Sequence, residues 1–192
     1  MPQPNHIVKI KLPEFEELDN DTKRYLKICE EKLGLVPNVL RAYTVNLKKL
    51  RNFTNFYNQL MLDEKDCNLT KLDREMIAVV VSSENSCYYC LVVHGQAVRE
   101  LSNDPQLGEM LVMNYRVANL DDKTNTMLDF ASKLTTMPKK INDFDRAELL
   151  RVGFSEKDIF DICDTTAFFN YTNRVAHGLD MMPNAEYHSQ NR

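Results

Sequence analysis

A chain of 192 residues, 43% of them hydrophobic, can bury one core and is short for two full-sized domains, so a single domain is expected. The net charge of −4 and a pI near 5.6 argue against nucleic acid as a partner, because phosphate recognition needs a concentrated positive field. The first twenty residues carry prolines and acids where a secretory signal needs an apolar stretch, and the longest apolar run, 76–81, is far short of the roughly 20 residues of a membrane span; the expectation is no membrane and a soluble, cytoplasmic protein.

Residues 1–18 read as an extended N-terminal arm, because "IVKIKL" at 7–12 alternates like a strand but has no strand to pair with. The first helical pattern, 19–34, places Tyr25, Leu26, Cys29 and Leu33 on one stripe and stops at Gly34. The stretch 36–62 opens at Pro37, suited to a first turn, and reads as one long helix or two with a break near Asn46. A Thr70-x-x-Asp73 cap begins 70–84; its β-branched run could be a buried strand, but in an otherwise helical chain it is read as helix. Helical spacing continues through 86–102, 104–120, 121–137, 143–153 and 155–178, the last with Ser155-x-x-Asp158 in front and Gly178 behind. With glycine scarce and no Asn-Gly or Asp-Gly hairpin signal, the fold class is all-α: about eight helices over 19–180. A polar C-terminal tail, 181–192, closes the chain. Both ends are expected to be mobile or to reach toward another subunit.

Five cysteines cannot all pair, and a reducing cytosol would keep most as thiols. Cys29, Cys67 and Cys163 stand alone and read as small buried hydrophobes. Cys87 and Cys90 are different: at about 100° per residue they share a helix face with His94. A cap at Asn85 or Ser86 would put Cys87 in a first turn, where free N–H groups and the helix dipole favour a thiolate. His94 could take the thiol proton. Glu75 lies twelve residues before Cys87, in an apolar stretch. It is either held by a partner, since isolated buried charge is costly, or a surface residue paired with Arg74 or Lys71. Asn170, Asn173 and Arg174 read as a buried polar network or subunit contact, with Arg174 alternatively lining a substrate pocket.

Zinc is a rival use of Cys87, Cys90, His94 and Glu75, but structural zinc usually draws on a second ligand pair, and His6, His177 and His188 have no cysteine at ligand spacing. Haem attachment would need histidine where Leu91 stands. A non-enzymatic helical oligomer with incidental cysteines is the blandest alternative.

The pattern Glu75-x11-Cys87-x2-Cys90-x3-His94 resembles the signature of the alkyl hydroperoxide reductase D-like branch of the carboxymuconolactone decarboxylase superfamily, and "GLVPNVLRAYTVN" and "FFNYTNRVAHGL" are similar to segments of its uncharacterised peroxidase-related members. The resemblance spans residues 14 to 180. It implies an all-helical fold, a homo-oligomer (dimer, trimer or hexamer), and a thiol-dependent peroxidase without metal or organic cofactor. The substrate would be an organic peroxide or hydrogen peroxide, and a lipoyl or thioredoxin-like thiol the reductant. Carried over, Cys90 attacks the peroxide, Cys87 closes the disulfide, and His94 and Glu75 relay protons. The best-known members have histidine directly before the second cysteine; here it is Tyr89, a phenol with an ordinary pKa near 10 and so a poor base at neutral pH. The relay would then run from His94 through water to Glu75. Decarboxylase or lactone chemistry, also found in the superfamily, does not require a dithiol.

Overall fold

The computed structural model describes residues 3–63, 65 and 67–192, so the first two residues of the expected arm lie outside it. Among the described residues there are nine α-helices and no strand. Their boundaries follow local chemistry. Helix α1 (Asn20–Leu33) starts where the Asp19 side chain accepts the Thr22 N–H and stops at Gly34, which takes the left-handed φ of 73° that favours glycine. The stretch after Pro37 is two helices, α2 (Asn38–Tyr43) and α3 (Leu47–Tyr57), because Asn46 leaves helical geometry at φ −148° and caps α3 through the Lys49 N–H. A π-helical turn, Asn58–Leu62, follows.

Helix α4 (Lys71–Glu84), opened by a reciprocal Thr70–Asp73 capping box, is the centre of the molecule. It packs against α5 (Tyr88–Ser102), α6 (Pro105–Asn114), α7 (Asp122–Thr136) and α9 (Glu156–Gly178), with α8 (Asp143–Arg151) outside on α7 and α9. Enclosure from several sides explains its sequence. Ile77, Ala78, Val79, Val80 and Val81 are all fully buried, so the run lacks one polar face and imitates a buried strand. Arg74, also buried, donates to the carbonyls of Leu60 and Asp63 and ties the π turn to α4.

The chain ends pack on their own domain. Residues 6–9 lie beside 179–182: Lys9 N–H donates to the Leu179 carbonyl and Met182 N–H to the Ile7 carbonyl, while His6 Nε2 meets the Asp180 carboxylate at 3.0 Å. Val8 and Met181 are buried. Farther on, the buried Arg99 donates to the carbonyls of Tyr187 and Gln190 and holds the final turn against α5. The tail is therefore less solvated than its composition suggests. Among the described residues no helix is long and apolar enough to cross a membrane.

Candidate active site

The loop between α4 and α5 is Asn85–Ser86–Cys87. Ser86 has φ 53°, so the chain turns sharply there, and Cys87 rather than Asn85 or Ser86 is the N-cap of α5. Cys90 sits three residues into the helix. The two thiols pack together and perturb each other's ionisation. The Cys90 thiol, then the Cys90 N–H and the nearby His177 and His94, outweigh burial and bring Cys87 down to about 6. The Cys87 thiol, then burial, pushes Cys90 well above an ordinary thiol. Burial raises Cys29, Cys67 and Cys163 as well, so Cys87 is the cysteine shifted toward the thiolate form.

Glu75 is buried, and its partner is neither Arg74 nor Lys71: Oε2 lies 2.6 Å from His94 Nδ1. With the carboxylate ionised, Nδ1–H donates and Nε2 is left as the accepting nitrogen. Phe169 packs edge-on against the imidazole, with centroids 4.7 Å apart. His94 and Glu75 line a cavity of about 470 Å³ whose walls are mostly apolar, among them Tyr25, Leu40, Phe53, Tyr57, Val93 and Phe168. That volume suits a small organic molecule. A second hollow of about 450 Å³, around Phe56 and Tyr171, has neither cysteine nor histidine in its walls.

The sulfurs are not in the cavity wall. Cys87 and Cys90 pack with Val8, Ala42, Ala176 and Met181, and they are 1% and 3% exposed. Although Cys87 is nearer the helix end, it is no more accessible than Cys90, because residues 7–8 and 181 cover that end. Nor does His94 bond directly to either sulfur; among the described residues its polar partner is Glu75.

Tyr89 lines the cavity, and its hydroxyl accepts the Val39 N–H at 3.1 Å. Burial pushes its ionisation well above that of a free phenol. Arg174 is exposed, folds back on Asn170, and is not in the cavity wall. Among the described residues no group of three or more His, Cys, Asp or Glu side chains is arranged to hold a metal ion.

The polar network expected at Asn170 and Asn173 of α9 meets the dithiol and its loop, which the sequence did not disclose. Asn173, fully buried, donates to Ser82 Oγ, accepts from Asn85 Nδ2, and presents its carbonyl to Cys87 Sγ at 3.9 Å. Asn173 and Ser82 also pull the Cys90 thiol down, by less than Cys87 and burial push it up. The 3–4 residue spacing of Asn170, Asn173 and His177 was a readable signal of one face, but not of what that face meets.

The sequence profile of the carboxymuconolactone decarboxylase family matches residues 50–133. The chain is similar to the crystal structure of an uncharacterised peroxidase-related protein from Silicibacter sp. TM1040, at 57% identity, full coverage of both chains and TM-score 0.95. It is also similar to an uncharacterised peroxidase-related protein with an alkylhydroperoxidase AhpD core from Ralstonia eutropha JMP134, at 34% identity, 98% of both chains and TM-score 0.93. The debrominase Bmp8, solved with 2,3,4-tribromopyrrole, shares the fold at 16% identity over 97% of this chain and 95% of its own, with TM-score 0.77. Among curated proteins none matches the chain.

Proposed function

Because the chain belongs to the carboxymuconolactone decarboxylase family, in its branch of alkyl hydroperoxide reductase D-like, peroxidase-related proteins, we propose that it is a thiol-dependent peroxidase. In this reading the Cys87–Cys90 dithiol reduces an organic peroxide or hydrogen peroxide. The carrying observation is the packing of Cys87 and Cys90 together at the start of α5, beside a buried His94–Glu75 pair that opens on an apolar cavity. Fold alone does not select this chemistry, since the debrominase has the same fold.

The Cys90 proton passes to Cys87, and the freed Cys90 thiolate attacks the terminal peroxide oxygen. The O–O bond breaks, and the leaving alkoxide takes a proton that solvent supplies through His94 Nε2, whose ring Glu75 orients through Nδ1–H. Cys90 becomes a sulfenic acid; Cys87 attacks its sulfur and water leaves. Two thiols thus give two electrons, and products are an alcohol, water and the Cys87–Cys90 disulfide. An external dithiol of lipoyl or thioredoxin-like type restores the thiols. Assembly into a homo-oligomer belongs to the same proposal, with exposed Phe160 and Tyr171 on α9 as apolar surface to cover.

A second reading rests on the lowered Cys87: the resting thiolate itself attacks and Cys90 resolves. The two separate in serine variants treated with one equivalent of cumene hydroperoxide and a sulfenic-acid trap. With Cys90 as attacker, Cys90→Ser consumes no peroxide and Cys87→Ser is trapped at Cys90; the reverse pattern selects Cys87. Undiminished consumption by the double variant would sink the dithiol peroxidase.

A further inference from the structure

His177 lies seven residues beyond Asn170 on α9 and, unlike the thiols, is exposed. Its Nε2–H donates to the Asn85 carbonyl at 3.0 Å, two residues before Cys87. A carbonyl only accepts, so this bond fixes the proton on Nε2 and leaves Nδ1 as the nitrogen that takes a second proton. Asn85 is held from the same helix by Asn170 and Asn173, through its side-chain amide. The loop whose turn at Ser86 aims Cys87 is thus clamped by one stripe of α9.

The other groups around Cys87 are otherwise engaged. From α5, Cys90 packs with Cys87, and His94 is bonded to Glu75 of α4. Tyr89 holds the Val39 N–H. Ser82 of α4 accepts from Asn173 of α9. His6 on the arm is bonded to Asp180. His177 is the histidine that touches the Cys87 loop while exposed to solvent.

We propose that His177 is a positioning residue of the dithiol: through Nε2 it fixes the Asn85–Cys87 loop, and when protonated at Nδ1 it places a positive charge beside that loop. It rests on the thiol chemistry proposed above, but the charge is read on the thiol itself. The electrostatic pull of His177 on Cys87 is in keeping with this arrangement.

The experiment is a pH titration of ultraviolet thiolate absorbance in protein whose Cys29, Cys67 and Cys163 are serine, comparing the parent with His177→Gln and His177→Ala. Glutamine keeps a donor for the Asn85 carbonyl and loses the charge. Both variants should move the lower midpoint up by about one pH unit, so that thiolate at pH 6 falls by about fivefold while the plateau at pH 9 is unchanged. A parent-like midpoint in both variants overturns the proposal. So does a midpoint restored by glutamine but not alanine, which would make His177 a hydrogen-bond clamp only. No peroxide enters this measurement, so a shifted midpoint in a protein that reduces no peroxide would refute the proposed activity and leave His177 in place.

Discussion

The dithiol has two unlike surroundings. On one side Glu75 and His94 stand in the wall of an apolar cavity of about 470 Å³ framed by α1, α3, α5 and α9. On the other side the sulfurs lie beneath the strap made by residues 6–9 and 179–182, and are nearly inaccessible. The cavity offers room without either dithiol sulfur in its wall; the strap covers those sulfurs without leaving room. The contrast separates two demands of a dithiol peroxidase: a small apolar substrate needs a pocket, a proton donor and a path from the cavity wall to Cys90, whereas a bulky reductant needs an uncovered sulfur. The first requires the cavity wall to part locally, the second requires the strap to lift.

The cavity side should carry the larger effects. Glu75→Gln keeps the shape but removes the carboxylate that sets the His94 tautomer, and should lower kcat/KM for cumene hydroperoxide by about 10²-fold. Loss of activity with an unchanged cooperative unfolding transition checks this. An activity within about twofold of the parent would mean the pair is a structural ion pair and that protons travel elsewhere.

The next effect is selective. Ala97 lines the cavity and carries little side chain, so Ala97→Trp should fill much of it. We expect about a tenfold loss of kcat/KM for cumene hydroperoxide and little change for hydrogen peroxide, which needs less room. Equal losses for both peroxides would show that the cavity is not the way in.

The two sides also differ in how far the sequence discloses them. The cavity's chemistry is local: Glu75, Cys87, Cys90 and His94 lie within twenty residues on two consecutive helices, so helical spacing and caps could bring them together. Helix ends were legible for the same reason, since Asp19, Asn46, Thr70 and Ser155 cap through bonds to residues three ahead. The other side is built from long-range pairs. Asn173 meets Cys87 across 86 residues, His177 meets Asn85 across 92, and His6 meets Asp180 across 174. No periodicity encodes such distances, and the alternating "IVKIKL" looked unpartnered because the segment it runs beside is the tail. The cavity wall contributed by α1 was hidden too, because Tyr25 and Cys29 on an amphipathic helix look like ordinary core residues.

The smallest effect should come from the strap's ion pair. His6 Nε2 reaches both the carboxylate and the backbone carbonyl of Asp180 at 3.0 Å. The two side chains are 23% and 51% exposed, so water screens the charges and replaces the contact when it breaks. What remains after Asp180→Asn is more: the bonds from Lys9 to Leu179 and from Met182 to Ile7, and the burial of Val8 and Met181 against the cysteines. The variant should therefore open the strap by no more than about fivefold. The rate of iodoacetamide labelling at Cys87, mapped by mass spectrometry, reads this opening. The measurement belongs at pH 9, where a thiol brought down to about 6 is fully ionised and the rate reports access alone. A rise of about 10²-fold would show that the His6–Asp180 contact rather than apolar packing holds the strap down, and the comparison between a static cover and an open cavity would have to be redrawn.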